Sequence, residues 1–125
     1  MSTIRVDTFG PSAGGTTYSA RGIAKAWVNF NGTGAIAARD SENVSSLTDH
    51  GTGEYTVNFN NGFGAGDYAI GGSTVGNTSS YTQIATGVVV PATGSITITT
   101  GRFDTGLGNI TDINYVHVIC HGDLA

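Results

Sequence analysis

Three histidines, one cysteine and nine acidic residues are the side chains of this 125-residue chain that could carry nucleophilic, acid–base or metal chemistry. Nucleophilic hydrolysis needs a Ser or Cys beside a His and an orienting acid, yet the one Gly-x-Ser-x-Gly string, Gly10-Pro11-Ser12-Ala13-Gly14, lies in a Gly-rich linker and not in a strand-to-helix elbow. His117 and His121 flank Cys120, but in an extended strand the cysteine points to the face opposite both, so no thiol–imidazole pair forms. The same geometry sets the two rings about 13 Å apart on one face, too far to chelate a single metal. Two readings of the pair stay open. One histidine from each of three chains could meet on a three-fold axis and hold an ion or anion, or both are polar residues of a subunit-contact or solvent face. His50 is expected in a turn. Asp7 lies in an amino-terminal arm, and Asp40, Glu42, Asp49, Glu54, Asp67, Asp104, Asp112 and Asp123 are scattered across Gly-rich turns. Acids in such places ordinarily bond their own backbone, so a carboxylate pair for glycoside hydrolysis is not expected. Gly71-Gly72-Ser73-Thr74 lacks the Lys and the following helix of a phosphate loop. No catalytic residue, cofactor or metal ligand is assigned.

The elements that position these residues are short. From Lys25 to Phe59, alternating apolar and polar runs are cut by turns at Asn31-Gly32-Thr33-Gly34 and Asp49-His50-Gly51-Thr52-Gly53. Asn-Gly and related pairs tolerate the positive φ that tight hairpins demand. Tyr55, Val57 and Phe59 share one face and Thr56 and Asn58 the other, the period of a half-buried strand, and Ile96 and Ile98 repeat the pattern. No window has helical periodicity, and the 20 glycines penalise a helix. The fold class is therefore all-β: a single β-sandwich of about eight short antiparallel strands, near 24–30, 35–41, 44–48, 54–59, 67–75, 80–90, 95–101 and 115–121. Val88-Val89-Val90 before Pro91 looks like a strand buried on both faces. Trp27 and Phe30 fall on opposite faces of the first core strand, and alternation alone leaves open which of them is inside.

Residues 1–22 form an arm and a Gly-rich linker ahead of the sandwich at 23–125. Ile4, Arg5, Val6 and Asp7 alternate like one short strand, and Gly10-Pro11-Ser12-Ala13-Gly14-Gly15 then interrupts regular structure. The opening residues lack the apolar core of a secretory signal, so export by that route is not expected. Charged residues make up only 11% of the chain, against the usual quarter or so. A Thr- and Asn-rich surface suits strands and creates little field to repel a second copy. The net charge of −4 with five basic residues argues against nucleic-acid binding, which needs clustered cations. No apolar run is long enough for a membrane helix.

The string GIAKAWVNFNGTG at 22–34, followed by ARDSENVSSLTDHGTGEYTVNF at 38–59, carries fixed residue identities across three turns. With DYAI at 67–70 and YVHVICHGDL at 115–124, it resembles small tail-fibre-like and virion surface proteins of tailed, often marine, bacteriophages. The opening MSTIRVDTF also looks like the start of such proteins. The resemblance implies three-fold association and a location on the phage particle, and it brings no catalytic residues. The expected function is a non-enzymatic virion structural protein, a homotrimer at the virion surface. The last strand, with Tyr115, His117, Ile119 and His121 on one face, is the expected trimer contact. Ile4, Arg5, Val6 and Asp7 of the arm are the expected contact with a major capsid or tail protein, adding a strand to its exposed edge. A fibre needs a shaft and an anchoring domain that 125 residues do not hold, which favours capsid decoration (a cement role) over a tail-fibre tip. The alternative is a receptor-binding tail protein in which Tyr81 or Tyr18 stacks on a sugar ring.

Overall fold

A computed structural model describes residues 2–76, 82–85, 91–102 and 109–125, with backbone alone at 21, 82–85 and 102. The strands are β1 (Thr8–Phe9), β2 (Tyr18–Ser19), β3 (Ala26–Asn31), β4 (Ala37–Glu42), β5 (Val44–Gly51), β6 (Glu54–Phe59), β7 (Ala69–Val75), β8 (Thr82–Ala85), β9 (Ser95–Arg102), β10 (Asn109–Ile110) and β11 (Tyr115–His121). The one helical element described is the 3₁₀ turn Ala20–Gly22. Eight of these strands, β3 to β9 and β11, correspond one to one with the eight expected. Val88-Val89-Val90 and Tyr81 lie outside the described residues.

All pairing is antiparallel, in two main sheets. One runs β4-β3-β11-β7; the other runs β10-β9-β6-β5, with β8 also on β9. The chain passes from the first sheet to the second at Asn43, whose φ of 56° turns β4 into β5. Asn accepts this left-handed conformation because its short side chain can bond nearby backbone. Asn43 Oδ1 accepts from Asn61 N at 2.8 Å, and its Nδ2 donates to Asn61 O at 3.0 Å.

Turn chemistry closes the two expected hairpins. Asn31 Oδ1 accepts from both the backbone N (3.0 Å) and the hydroxyl (2.7 Å) of Thr33. Gly51 N donates to Asp49 Oδ1 at 2.9 Å, and Gly51 and Gly53 hold φ of 123° and 68°. His50 is not in the turn proper. It belongs to β5, as the extra residue of a register shift between Asp49 and Gly51. A bulge lets one strand carry an unpaired residue without ending the ladder.

The inner faces meet as a core. Ala26, Val28 and Phe30 of β3 and Val116, Val118 and Cys120 of β11 are buried against Tyr55, Val57 and Phe59 of β6 and Ile96 and Ile98 of β9. Phe30 is the inward aromatic, edge-on to Tyr55 at 5.2 Å between centroids, and Trp27 points out. Phe59, Phe63 and Tyr68 close one end as an aromatic trio, the last two stacked at 4.1 Å.

The arm corrects one expectation. Ile4 to Asp7 are not a strand; the strand is Thr8–Phe9, and 10–17 are the connection of a hairpin rather than a free linker. Strand pairing requires a partner. Tyr18–Ser19 supplies one for only two residues before the chain enters the 3₁₀ turn at Ala20, whose N donates to Asp7 O at 2.8 Å. Phe9 and Tyr18 fix the hairpin with rings 6.0 Å apart.

Candidate functional site

The two outer faces of the sandwich differ in kind. On the β5-β6-β9 face the side chains are hydroxyls and amides that bond one another. Asn58 Nδ2 donates to Ser46 Oγ and Thr48 Oγ1, both at 3.1 Å, and the Thr56 and Thr97 hydroxyls are 2.7 Å apart. His50 Nε2 joins them at 2.8 Å from Thr56 Oγ1. Such a face is well hydrated and gains little by being covered.

The β4-β3-β11-β7 face carries its apolar side chains in two rows, Trp27 with Ile119 and Tyr115 with Val75, separated by the row of Asn29, His117 and Ser73. Alternation on β11 buries Val116, Val118 and Cys120 and turns Tyr115, His117, Ile119 and His121 outward. Ile119 pairs with Trp27 on one side and with Gly71 on the other, and Trp27 pairs with Glu42 at the sheet margin. A β-carbon added at Gly71 would have open space around it. The missing side chain leaves a trough of about 610 Å³ walled by Trp27 and Ile119 and flanked by His117 and His121. Val75, Ile119 and Tyr115 are 53%, 42% and 39% exposed, far more than core residues of their type. Polar groups frame them. Arg39 stacks over the Tyr115 ring at 4.0 Å and donates to Asn114 Oδ1 at 2.7 Å. His117 Nδ1 lies 3.1 Å from Ser73 Oγ, which leaves its Nε2 for a ligand or partner.

All four residues expected at a subunit contact thus share one face. The arm residues are not part of it as described: Ile4, Arg5, Val6 and Asp7 are exposed, Ile4 at 85%. Val6 and Asp7 line a separate depression at the foot of the arm with Lys25 and Leu124. Trp27, Arg39 and Gly71 were not singled out for this face from sequence. Trp27 had an equal claim on the core, Arg39 faces outward because a bulge lies between Asn29 and Phe30, and only the register sets Gly71 against Ile119.

Among the described residues, no three His, Cys, Asp or Glu side chains converge to hold a metal ion. Cys120 is buried, and burial pushes its thiol up to about 11, so it holds its proton at neutral pH and is a poor nucleophile. The most perturbed tyrosine among the described residues, Tyr55, is structural. Its hydroxyl is 2.7 Å from Gly32 O and 2.8 Å from Asp112 Oδ1, two acceptors competing for one proton. Burial, and then the hydrogen bond to Asp112, hold its pKa far above the ordinary tyrosine value. Asp112 Oδ1 also accepts from Gly53 N at 2.7 Å. The group clasps the β5–β6 turn to the segment leading into β11.

No family model, curated protein or solved structure matches the chain. What the arrangement offers chemically is a binding face: an apolar trough and an aromatic–guanidinium stack beside hydrogen-bonding imidazoles.

Proposed function

We propose that this chain is a non-enzymatic structural protein of the virion surface of a tailed bacteriophage, a homotrimer that decorates and cements the capsid shell. The observation that carries the self-association is the contrast between the outer faces. A sandwich in water gains by covering the face with Trp27, Ile119, Tyr115 and Val75, and gains almost nothing by covering the hydroxyl-paved one. With so few charges on the chain, another copy meets little repulsion there. Cyclic closure is the usual outcome of such contacts. The phage assignment rests on the sequence resemblance at 22–59. The arm's hairpin alone, Thr8–Phe9 with Tyr18–Ser19, is assigned to neighbouring subunits of the shell: Phe9 and Tyr18, 47% and 60% exposed, give it an apolar surface for the major capsid protein. Quantitative mass spectrometry of purified particles tests the location. A copy number comparable with that of the major shell protein is expected. A handful of copies per particle would transfer the protein to the tail.

A second reading has its own observation. Trp27 beside Asn29 and the free Nε2 of His117 presents an indole face with adjacent hydrogen-bonding groups, the combination that holds a pyranose ring. In that reading the protein is a receptor-binding tail component. Trp27 is the only tryptophan, so its fluorescence reports the site: titration with host surface polysaccharide would shift the emission, and the native protein would be retained on that glycan while Trp27→Ala would not.

A further inference from the structure

Antiparallel sheets protect their free edges with charge, proline or bulges, because unpaired N–H and C=O groups invite another strand. In this sandwich the described edges are treated unequally. β4 carries Arg39, Asp40 and Glu42 and a register shift against β3. β5 carries Asp49 and two register shifts against β6. β7 has none of these devices: Ala-Ile-Gly-Gly-Ser-Thr-Val is uncharged and proline-free, and it pairs with β11 over seven consecutive residues without a shift. Among the described residues no strand pairs with its other side, although the shorter edge strand β8, also uncharged, runs close by.

We propose that β7 is the acceptor edge for residues 3–7 of a second copy of this chain, an inference that rests on the self-association proposed above. Four observations fit this occupant. The donor segment already has the needed form, since residues 2–6 belong to no helix, turn or strand and expose Ile4 at 85% and Val6 at 53%. Its length matches: five residues span about 17 Å, within the roughly 23 Å of β7. Ile4 and Val6, two residues apart, fall on one side of an added strand, opposite the small outward residues Ala69, Gly71 and Ser73. One of the two then fills the trough over Gly71 and packs on Ile119 and Trp27, and main-chain hydrogen bonds complete the edge. Finally, within one chain both surfaces are present and do not pair, so the donor comes from elsewhere. An arm-to-edge contact joins two different surfaces and is heterologous, the type that closes into a ring when repeated about a three-fold axis.

The test is disulfide trapping in the full-length protein. Native Cys120 is buried and protonated at neutral pH, so it stays out of the exchange. The pairs Ile4→Cys with Gly71→Cys and Val6→Cys with Gly71→Cys are oxidised alongside a control pair, Val6→Cys with Glu42→Cys, at the guarded edge. Light scattering and Trp27 fluorescence are recorded for the native chain and for one lacking residues 2–7. At least one Gly71 pair is expected to link separate copies while the control does not. Deleting the arm should weaken association by at least ~tenfold and shift Trp27 emission to the red as the trough opens to water. Unchanged mass and emission after deletion, with Gly71 trapped no better than Glu42, would overturn the inference and leave self-association standing. Crosslinks confined to one chain, or formed in particles between the Gly71 variant and a shell protein, would also overturn it. A native chain that is monomeric would overturn the parent reading and this one together.

Discussion

Gly71 lies directly across from Ile119 in the β7–β11 ladder, in the same row as Trp27. The sheet therefore lacks a side chain beside Trp27 and Ile119, two of its outward apolar groups, and the resulting trough gives this face a shape as well as a polarity.

If that face is the subunit contact, Ile119→Glu is expected to release monomers that keep the far-ultraviolet circular dichroism of a β-sandwich. Ile119 is 42% exposed and outside the core, so a charge there costs the isolated fold little. Thr48→Glu, on the hydroxyl-paved face, should leave the mass unchanged.

The inward and outward aromatics of β3 should separate clearly by stability. In the Ile119→Glu background, where assembly does not intervene, Phe30→Ala should cost about 3–5 kcal/mol in urea unfolding, because it empties a fully buried ring site. Trp27→Ala should cost less than about 2 kcal/mol, since its ring lies outside the core. Equal losses would mean that the face assignment is wrong.

The Tyr55 clasp predicts non-additivity. Tyr55→Phe removes the hydroxyl that bonds Gly32 O and should cost about 1–3 kcal/mol. Asp112→Ala should cost a similar amount by also stranding Gly53 N. Because both single changes break the same Tyr55–Asp112 bond, the double variant should cost less than their sum, measured as a double-mutant cycle.

Cys120 sets a pH dependence at the alkaline end. Burial raises its thiol from 9.0 to about 11 in the folded chain. Below pH 9 folded and unfolded states both hold the proton, so this group's contribution is fully present. Between pH 9 and about 11 the unfolded chain releases the proton first, and stability falls by at most about 1.4 kcal/mol per pH unit. Tyr68, raised by burial from 10.0 to about 12, adds to the loss at higher pH. Urea midpoints of Cys120→Ala should therefore be flatter than native between pH 9 and 10. An equally steep fall would assign the effect elsewhere.

Much of this architecture was legible in the residues because β-structure writes itself locally. The alternation of Tyr55, Val57 and Phe59, that of Ile96 and Ile98, and the Asn-Gly and Asp-His-Gly turns each depend on neighbours a few positions away. The failures have a common cause, which is pairing. Ile4 to Asp7 alternate as a strand does, but among the described residues no strand pairs with them, whereas Thr8 and Phe9 find Ser19 and Tyr18. Trp27 and Phe30 could not be ranked because each alternate set of β3 contains an aromatic. His50 looked like a turn residue because bulges are invisible without the opposing strand. The gathering of Tyr115, His117, Ile119 and His121 on one face followed from the period of two. The trough did not, since it depends on which residue of β7 stands opposite Ile119.

The central claim is that this sandwich is a self-associating structural unit that buries its Trp27–Ile119 face. Static light scattering of the full chain at micromolar concentration tests it most directly. A mass three times that of the 12.7 kDa chain is expected, falling to a single chain for Ile119→Glu. A native mass of one chain, unchanged as concentration rises, would contradict it.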